Sequence, residues 1–146
     1  MSAYGKKVLL AGATGYIGAE VAKKLIAEGY TVICPVRSLN FLKKIRFCKY
    51  IKCDVTDPNQ LGTIEKSFTK INYIISCLAS RTGGPEDAWL VDYKANMNLL
   101  RLAIKNNISH YILLSAICVQ KPMLEFQKAK LAFENELIRS DVTYSI

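Results

Sequence analysis

Short apolar runs alternate with helical segments along the whole chain, and that alternation leaves few folds open. "KKVLLAG", "YTVICPV", "KYIKCDV", "NYIISCLAS" and "HYILLSAICV" read as five strands, and "VTYSI" begins a sixth at the end of the chain. Between them the spacing predicts helices. Gly15 to Glu28 places Ile17, Val21 and Leu25 on one face, with Gly29 as the stop. Asp57-Pro58 opens a second helix with Leu61, Ile64 and Phe68 inward. A long third helix from Glu86 to Asn107 carries Ala88, Val91, Ala95, Leu99 and Leu102, and a fourth runs from Met123 to Arg139. Strands that are apolar on both faces imply a parallel sheet covered on both sides. Right-handed crossovers then give an α/β fold with a doubly wound sheet in the order 3-2-1-4-5-6. The 146 residues hold no repeat and no low-complexity linker, so residues 1–146 form one domain.

The turn after the first strand reads "AGATGYIG", with glycines at 12, 15 and 18. One glycine permits the tight turn, one brings backbone amides close to a pyrophosphate, and one lets helix and strand approach. Gly12, Thr14, Gly15, Tyr16, Ile17 and Gly18 are therefore candidate phosphate-loop residues; the bland alternative is an ordinary strand–helix turn. The second strand bears on which dinucleotide binds. An acidic residue about 20 positions past the motif would accept from the ribose hydroxyls of NAD. Arg37 lies there instead, and a guanidinium fork suits a 2′-phosphate, so the expected cofactor is NADP(H). The alternative for Arg37 is a solvated surface charge. Ligands sit at the carboxyl ends of parallel strands, which places Asp54 and Val55 near the adenine. Cys77, Leu78 and Ala79, with Ser80, fall near the nicotinamide ribose. Plain packing is the competing role for each.

Lys and Arg outnumber Asp and Glu by 20 to 12, a field that favours anionic ligands. The basic residues are spread apart from a cluster at Lys43, Lys44, Arg46, Lys49 and Lys52, and Arg does not interleave with aromatics. No nucleic-acid partner is expected. No apolar run approaches the roughly 18 residues of a membrane span. Five cysteines (Cys34, Cys48, Cys53, Cys77, Cys118) form no CxxC pair, each in or beside an apolar run as small buried thiols are, and the lone His110 has no partner at ligand spacing. No metal site is expected. Reduced thiols and a first strand that begins almost at once lead to the expectation of a cytoplasmic chain without a leader.

Phe126 and Lys130 stand four apart on the last helix, where a Tyr and a Lys are expected in many nicotinamide-dependent reductases. With "GATGYIG", Asp54 and Ser115 on the fifth strand, this pattern resembles the short-chain dehydrogenase/reductase superfamily in its extended or atypical branch. "SCLASRTGGPEDAWLVDYKAN" and "LLSAICVQKPMLEFQKAKLAFENEL" are similar to the NADPH-dependent divinyl chlorophyllide 8-vinyl-reductases, over almost the whole chain. The resemblance implies a Rossmann domain holding NADP(H), a conjugated tetrapyrrole substrate reduced from vinyl to ethyl, Lys130 on the nicotinamide ribose, and Ser115 orienting substrate or cofactor amide. The alternative for Phe126 and Lys130 is core packing and a surface charge. Members of that family continue past the sixth strand. The expectation is therefore a cofactor-binding part whose substrate part is absent, incomplete as a catalyst alone, with an open sheet edge compatible with a homo-dimer. Two other readings remain: a non-catalytic NADP-sensing or assembly protein, and an atypical reductase of another conjugated substrate, as in the isoflavone-reductase-like group.

Overall fold

A computed structural model describes residues 5–40, 44–68 and 70–146, so Lys43 of the basic cluster lies outside the described residues. Six strands, β1 (Lys7–Ala11), β2 (Thr31–Val36), β3 (Lys49–Lys52), β4 (Tyr73–Ser76), β5 (His110–Leu113) and β6 (Tyr144–Ser145), form one sheet in the order 3-2-1-4-5-6. Every pairing is parallel. The expected fold is the observed one.

Period-two alternation supplies both faces of the sheet. Leu9, Ala11, Ile33 and Ile74 point into one core with Leu99, Phe133 and Leu137 from the helices. Leu10, Val32 and Cys34 point into the other, against Ala22, Val21 and Leu25. Helix α1 (Tyr16–Ala27) covers the second core. Its close-packed residues are Gly18 and Ala22, whereas Ile17, expected inward, is 51% exposed. At its first turn the helix meets the turn after β1 so closely that a Cβ on Gly18 would collide with the Gly12 carbonyl. Gly29 ends α1 as expected. Its φ is 86°, its amide donates to Ile26 O, and the Tyr30 amide reaches Leu25 O, the paired bonds of a Schellman stop.

The Asp57 carboxylate accepts from the Asn59 amide and caps a 3₁₀ turn (Pro58–Gln60) leading into α2 (Leu61–Ser67). The long helix is continuous but not uniform. Pro85 opens α3 (Pro85–Ala88), a π turn spans Trp89–Ala95, and α4 runs Asn96–Lys105. Finally α5 (Glu125–Arg139) packs on the long helix, Phe133 and Leu137 inward. Strand β5 stops at Leu113, so Ser115 lies beyond the strand, not on it. No helix among the described residues is long and apolar enough to cross a membrane.

Candidate functional site

The glycine turn is built by contact. Gly12 has φ 85°, and a Cβ there would stand 2.5 Å from Cys77 O. A Cβ on Gly18 would overlap the Gly12 carbonyl and lie 3.0 Å from Ala13 Cα. Strand, turn and helix thus meet backbone to backbone, as a close-approach phosphate loop requires. Gly15 is the N-cap of α1; no side chain caps this helix, and its first turn has no acidic residue. An uncapped, uncompensated N-terminus is suited to an anion.

A cleft of about 1530 Å3 opens over the carboxyl ends of the strands. Gly12, Thr14, Gly15, Arg37, Asp54, Val55, Cys77, Leu78 and Ala79 all line it. Tyr16 and Ile17 are exposed on α1 without lining it, and Gly18 lies behind Gly12. Lys23, Lys44 and Arg46 add cations to the wall that carries Arg37.

The carboxylates of the cleft are already engaged. Asp54 Oδ1 accepts from the Thr56 amide at 2.9 Å and its hydroxyl at 2.7 Å, while the Asp54 amide donates to Gln60 Oε1 at 2.9 Å. Asp87 Oδ2 accepts from the Thr82 amide (2.9 Å), the Thr82 hydroxyl (3.0 Å) and the Arg81 amide (2.8 Å). The Thr82 amide above all holds the Asp87 carboxyl below its usual range, with a smaller pull from Arg37 across the cleft. Burial, followed by the Asp54 and Asp57 charges, pushes the Cys53 thiol up to about 11, so this wall offers no thiolate. The five thiols are not uniformly buried: Cys34 and Cys53 are, Cys48 and Cys77 are half-buried, and Cys118, expected buried, is exposed on a loop.

Lys130 and Ser115 do not line the cleft. Lys130 is not a surface charge; it is 3% exposed. Its ammonium donates to Leu78 O at 2.9 Å and Leu114 O at 3.3 Å, and lies 3.1 Å from Asp92 Oδ1. That approach is an ion pair outside hydrogen-bond alignment, for Oδ1 accepts no hydrogen bond among the described residues. Asp92 Oδ2 accepts from the Ser80 amide at 3.2 Å. Ser115 Oγ donates to Glu134 Oε1. Phe126 is half-buried and belongs to neither core cluster.

Beneath the cleft lies a polar group that the sequence reading missed. Ser76 Oγ at 2.6 Å and Tyr111 Oη at 3.0 Å both donate to Asn96 Oδ1, and Asn96 Nδ2 donates to Asp92 O at 2.9 Å. Burial raises the Tyr111 phenol well above its usual range, so it is a fixed donor, not an acid. The available signal was polarity on an apolar stripe: Asp92 and Asn96 adjoin Val91 and Ala95 on the inward face of the long helix.

The profile of the NAD(P)H-binding family matches residues 12–146. The chain is 44% identical over 156 residues to the chloroplastic divinyl chlorophyllide a 8-vinyl-reductase of Cucumis sativus, a match covering 95% of this chain and 37% of that protein. It is 26% identical over 143 residues to the photosystem II assembly factor Ycf39 of a Synechocystis strain, covering 96% of this chain and 43% of that one. The chain thus spans well under half the length of either relative. Among solved structures, the UDP-glucose 4-epimerase of Thermotoga maritima superposes with a TM-score of 0.80 at 21% identity, over 94% of this chain and 53% of that one. This last likeness is one of fold. The plant reductases carry the word chloroplastic in their names, so the cytoplasmic setting expected from sequence has no support from them.

Proposed function

The chain belongs to the NAD(P)H-binding family, and on that premise we propose that it is the NADP(H)-binding part of a reductase acting on the vinyl group of a divinyl chlorophyllide-type tetrapyrrole. The observation that carries the reading is the cleft, which joins an uncapped glycine turn to Arg37 on one side and to the exit of β4 on the other. Gly12, Gly15 and the α1 N-terminus would hold the pyrophosphate, Arg37 the 2′-phosphate, and Asp54 and Val55 the adenine edge. Cys77, Leu78 and Ala79 would border the nicotinamide ribose. When bound, NADPH supplies a hydride.

Reducing a conjugated carbon–carbon double bond places the developing negative charge in the conjugated system, and the proton goes to carbon. No phenol has to protonate an alkoxide, which suits Phe126 at the position four before Lys130. Similarity to the 8-vinyl-reductases supplies the substrate class, and the domain boundary is part of the proposal: a flat macrocycle needs a pocket that residues beyond this stretch would complete. The 146-residue chain is expected to bind NADPH without turning over divinyl chlorophyllide. Turnover by this chain would show that it is sufficient as a catalyst.

Titration with NADPH and NADH tests the cofactor assignment. The wild type should prefer NADPH by about tenfold or more, and Arg37→Ala should remove that preference, the size expected for a charge-assisted contact. Equal affinity for NADH would overturn it.

A second reading has its own support. The Ycf39 assembly factors match over the same span, and a nucleotide cleft without the phenol suits a sensing or assembly role. Nucleotide binding without reductase activity would favour that reading, and assays against a set of enones would separate it from a reductase of other conjugated substrates.

A further inference from the structure

Asp92 and Lys130 form a buried ion pair between the π turn and α5, their side chains only 1% and 4% exposed. Two charges withdrawn from water carry a large desolvation penalty, so stability alone is a poor reason for such a pair. Its connections are more telling. Lys130 Nζ donates to Leu78 O and Leu114 O, and Asp92 Oδ2 accepts from the Ser80 amide. Leu78 and Ser80 lie on the exit of β4, and Leu114 immediately follows β5. Those are the strands on the side of the switch point away from Arg37, where the second mononucleotide half of a dinucleotide rests.

The arrangement favours the backbone over the acid itself. Asp92 Oδ1 has only the Lys130 charge to face, at 3.1 Å, and accepts no hydrogen bond among the described residues. The directed hydrogen bonds of the pair thus run to backbone groups, while its two charges face each other. The π turn widens the helix at this point, and such turns are frequent at functional sites. Below it, the Asn96 amide holds Asp92 O, which fixes the turn from the other side.

We propose that Asp92 is a positioning residue: through Ser80 and Lys130 it sets the backbone at the exits of β4 and β5 as the floor for the nicotinamide half of the dinucleotide. This rests on the cleft being a dinucleotide site, and it replaces a direct ribose contact by Lys130 with an indirect one. Lys130 is the link, because its ammonium reaches both exits at once.

The test compares two ligands, NADPH and adenosine 2′,5′-bisphosphate, which retains the adenine half and its 2′-phosphate but lacks nicotinamide. Asp92→Asn should raise the Kd for NADPH about tenfold while leaving that for the bisphosphate within about twofold, since one charged positioning contact is lost on one half only. A double variant, Asp92→Asn with Lys130→Met, removes both buried charges and guards against a fold lost to one unpaired charge; the same selective loss is expected. A parallel shift for both ligands, or no shift for either, in whichever variant folds would overturn the positioning role. If the wild type binds neither ligand, the dinucleotide reading fails first and takes this inference with it.

Discussion

The Ser115 hydroxyl donates to Glu134, which sits one helical turn beyond Lys130 on α5. A side chain expected to address substrate is thereby turned into the protein, and the loop after β5 is tied to the helix that carries the lysine. Glu134 is only 9% exposed, so removing its donor leaves a largely buried carboxylate oxygen short of a partner. Ser115→Ala should cost about 1–2 kcal/mol of stability, read from denaturant unfolding, and leave NADPH affinity nearly unchanged. A large loss of affinity with unchanged stability would return Ser115 to the cleft.

Two glycines in helices should respond oppositely to the same substitution. A Cβ on Gly18 meets the carbonyl of Gly12 and Cα of Ala13, all backbone, which cannot rotate away. A Cβ on Gly62, in α2, meets nothing within 4 Å. Gly18→Ala should destabilise by about 1–3 kcal/mol and weaken nucleotide binding. Gly62→Ala should stabilise by about 0.5–1 kcal/mol through helix propensity. Paired melting curves check both, and a neutral Gly18→Ala would mean that the turn yields.

The sheet order, the glycine turn and the cleft residues were legible because their signals are local: an apolar run, a fixed glycine spacing, a strand end. Periodicity gives a stripe but not its depth, and in α1 only Gly18 and Ala22 are buried while Ile17 is exposed. The end of β5 is hidden in the sequence because "HYILLSAICV" stays apolar after the ladder ends at Leu113, which leaves Ser115 beyond the strand. The partner of Lys130 was invisible for another reason. Asp92 lies on a different helix, and no pattern of spacing ties residues joined only by tertiary packing. Its one local mark, a carboxylate on an inward stripe, passes for a surface residue until burial is known.

Acid stability follows from depressed carboxyls: Glu28 and Glu125 are held down by Lys24 and Lys128, and three more by neighbours of other kinds. The Asn59 amide lowers Asp57, the Asn106 side chain and then Lys105 lower Glu65, and the Thr82 amide lowers Asp87. A carboxyl whose folded value lies below its unfolded one stabilises fully above the unfolded value and loses that contribution as pH falls through the folded one. The melting temperature should therefore hold between about pH 7 and 5 and decline below about pH 4. Glu65→Gln should make that decline shallower. A decline that sets in near pH 6 would implicate some other group.

The vacancy of a phenol at position 126 can be tested by supplying one. A catalytic Tyr of this arrangement relies on a neighbouring ammonium to favour its phenolate, and the ammonium four residues on is Lys130. Here that charge faces Asp92 at 3.1 Å, and it donates hydrogen bonds to the carbonyls of Leu78 and Leu114. Little of its field remains to act on a phenol added at the half-buried Phe126. In Phe126→Tyr the new phenol should titrate near the ordinary value of about 10, measured by difference absorbance against the wild type. Adding Asp92→Asn removes the counter-charge, and the same phenol should then titrate lower by about one unit, the direction expected for an unpaired cation nearby. A value already depressed by about two units in the single variant would mean that Lys130 is free to activate a phenol, and that its pairing with Asp92 gives way when one is present.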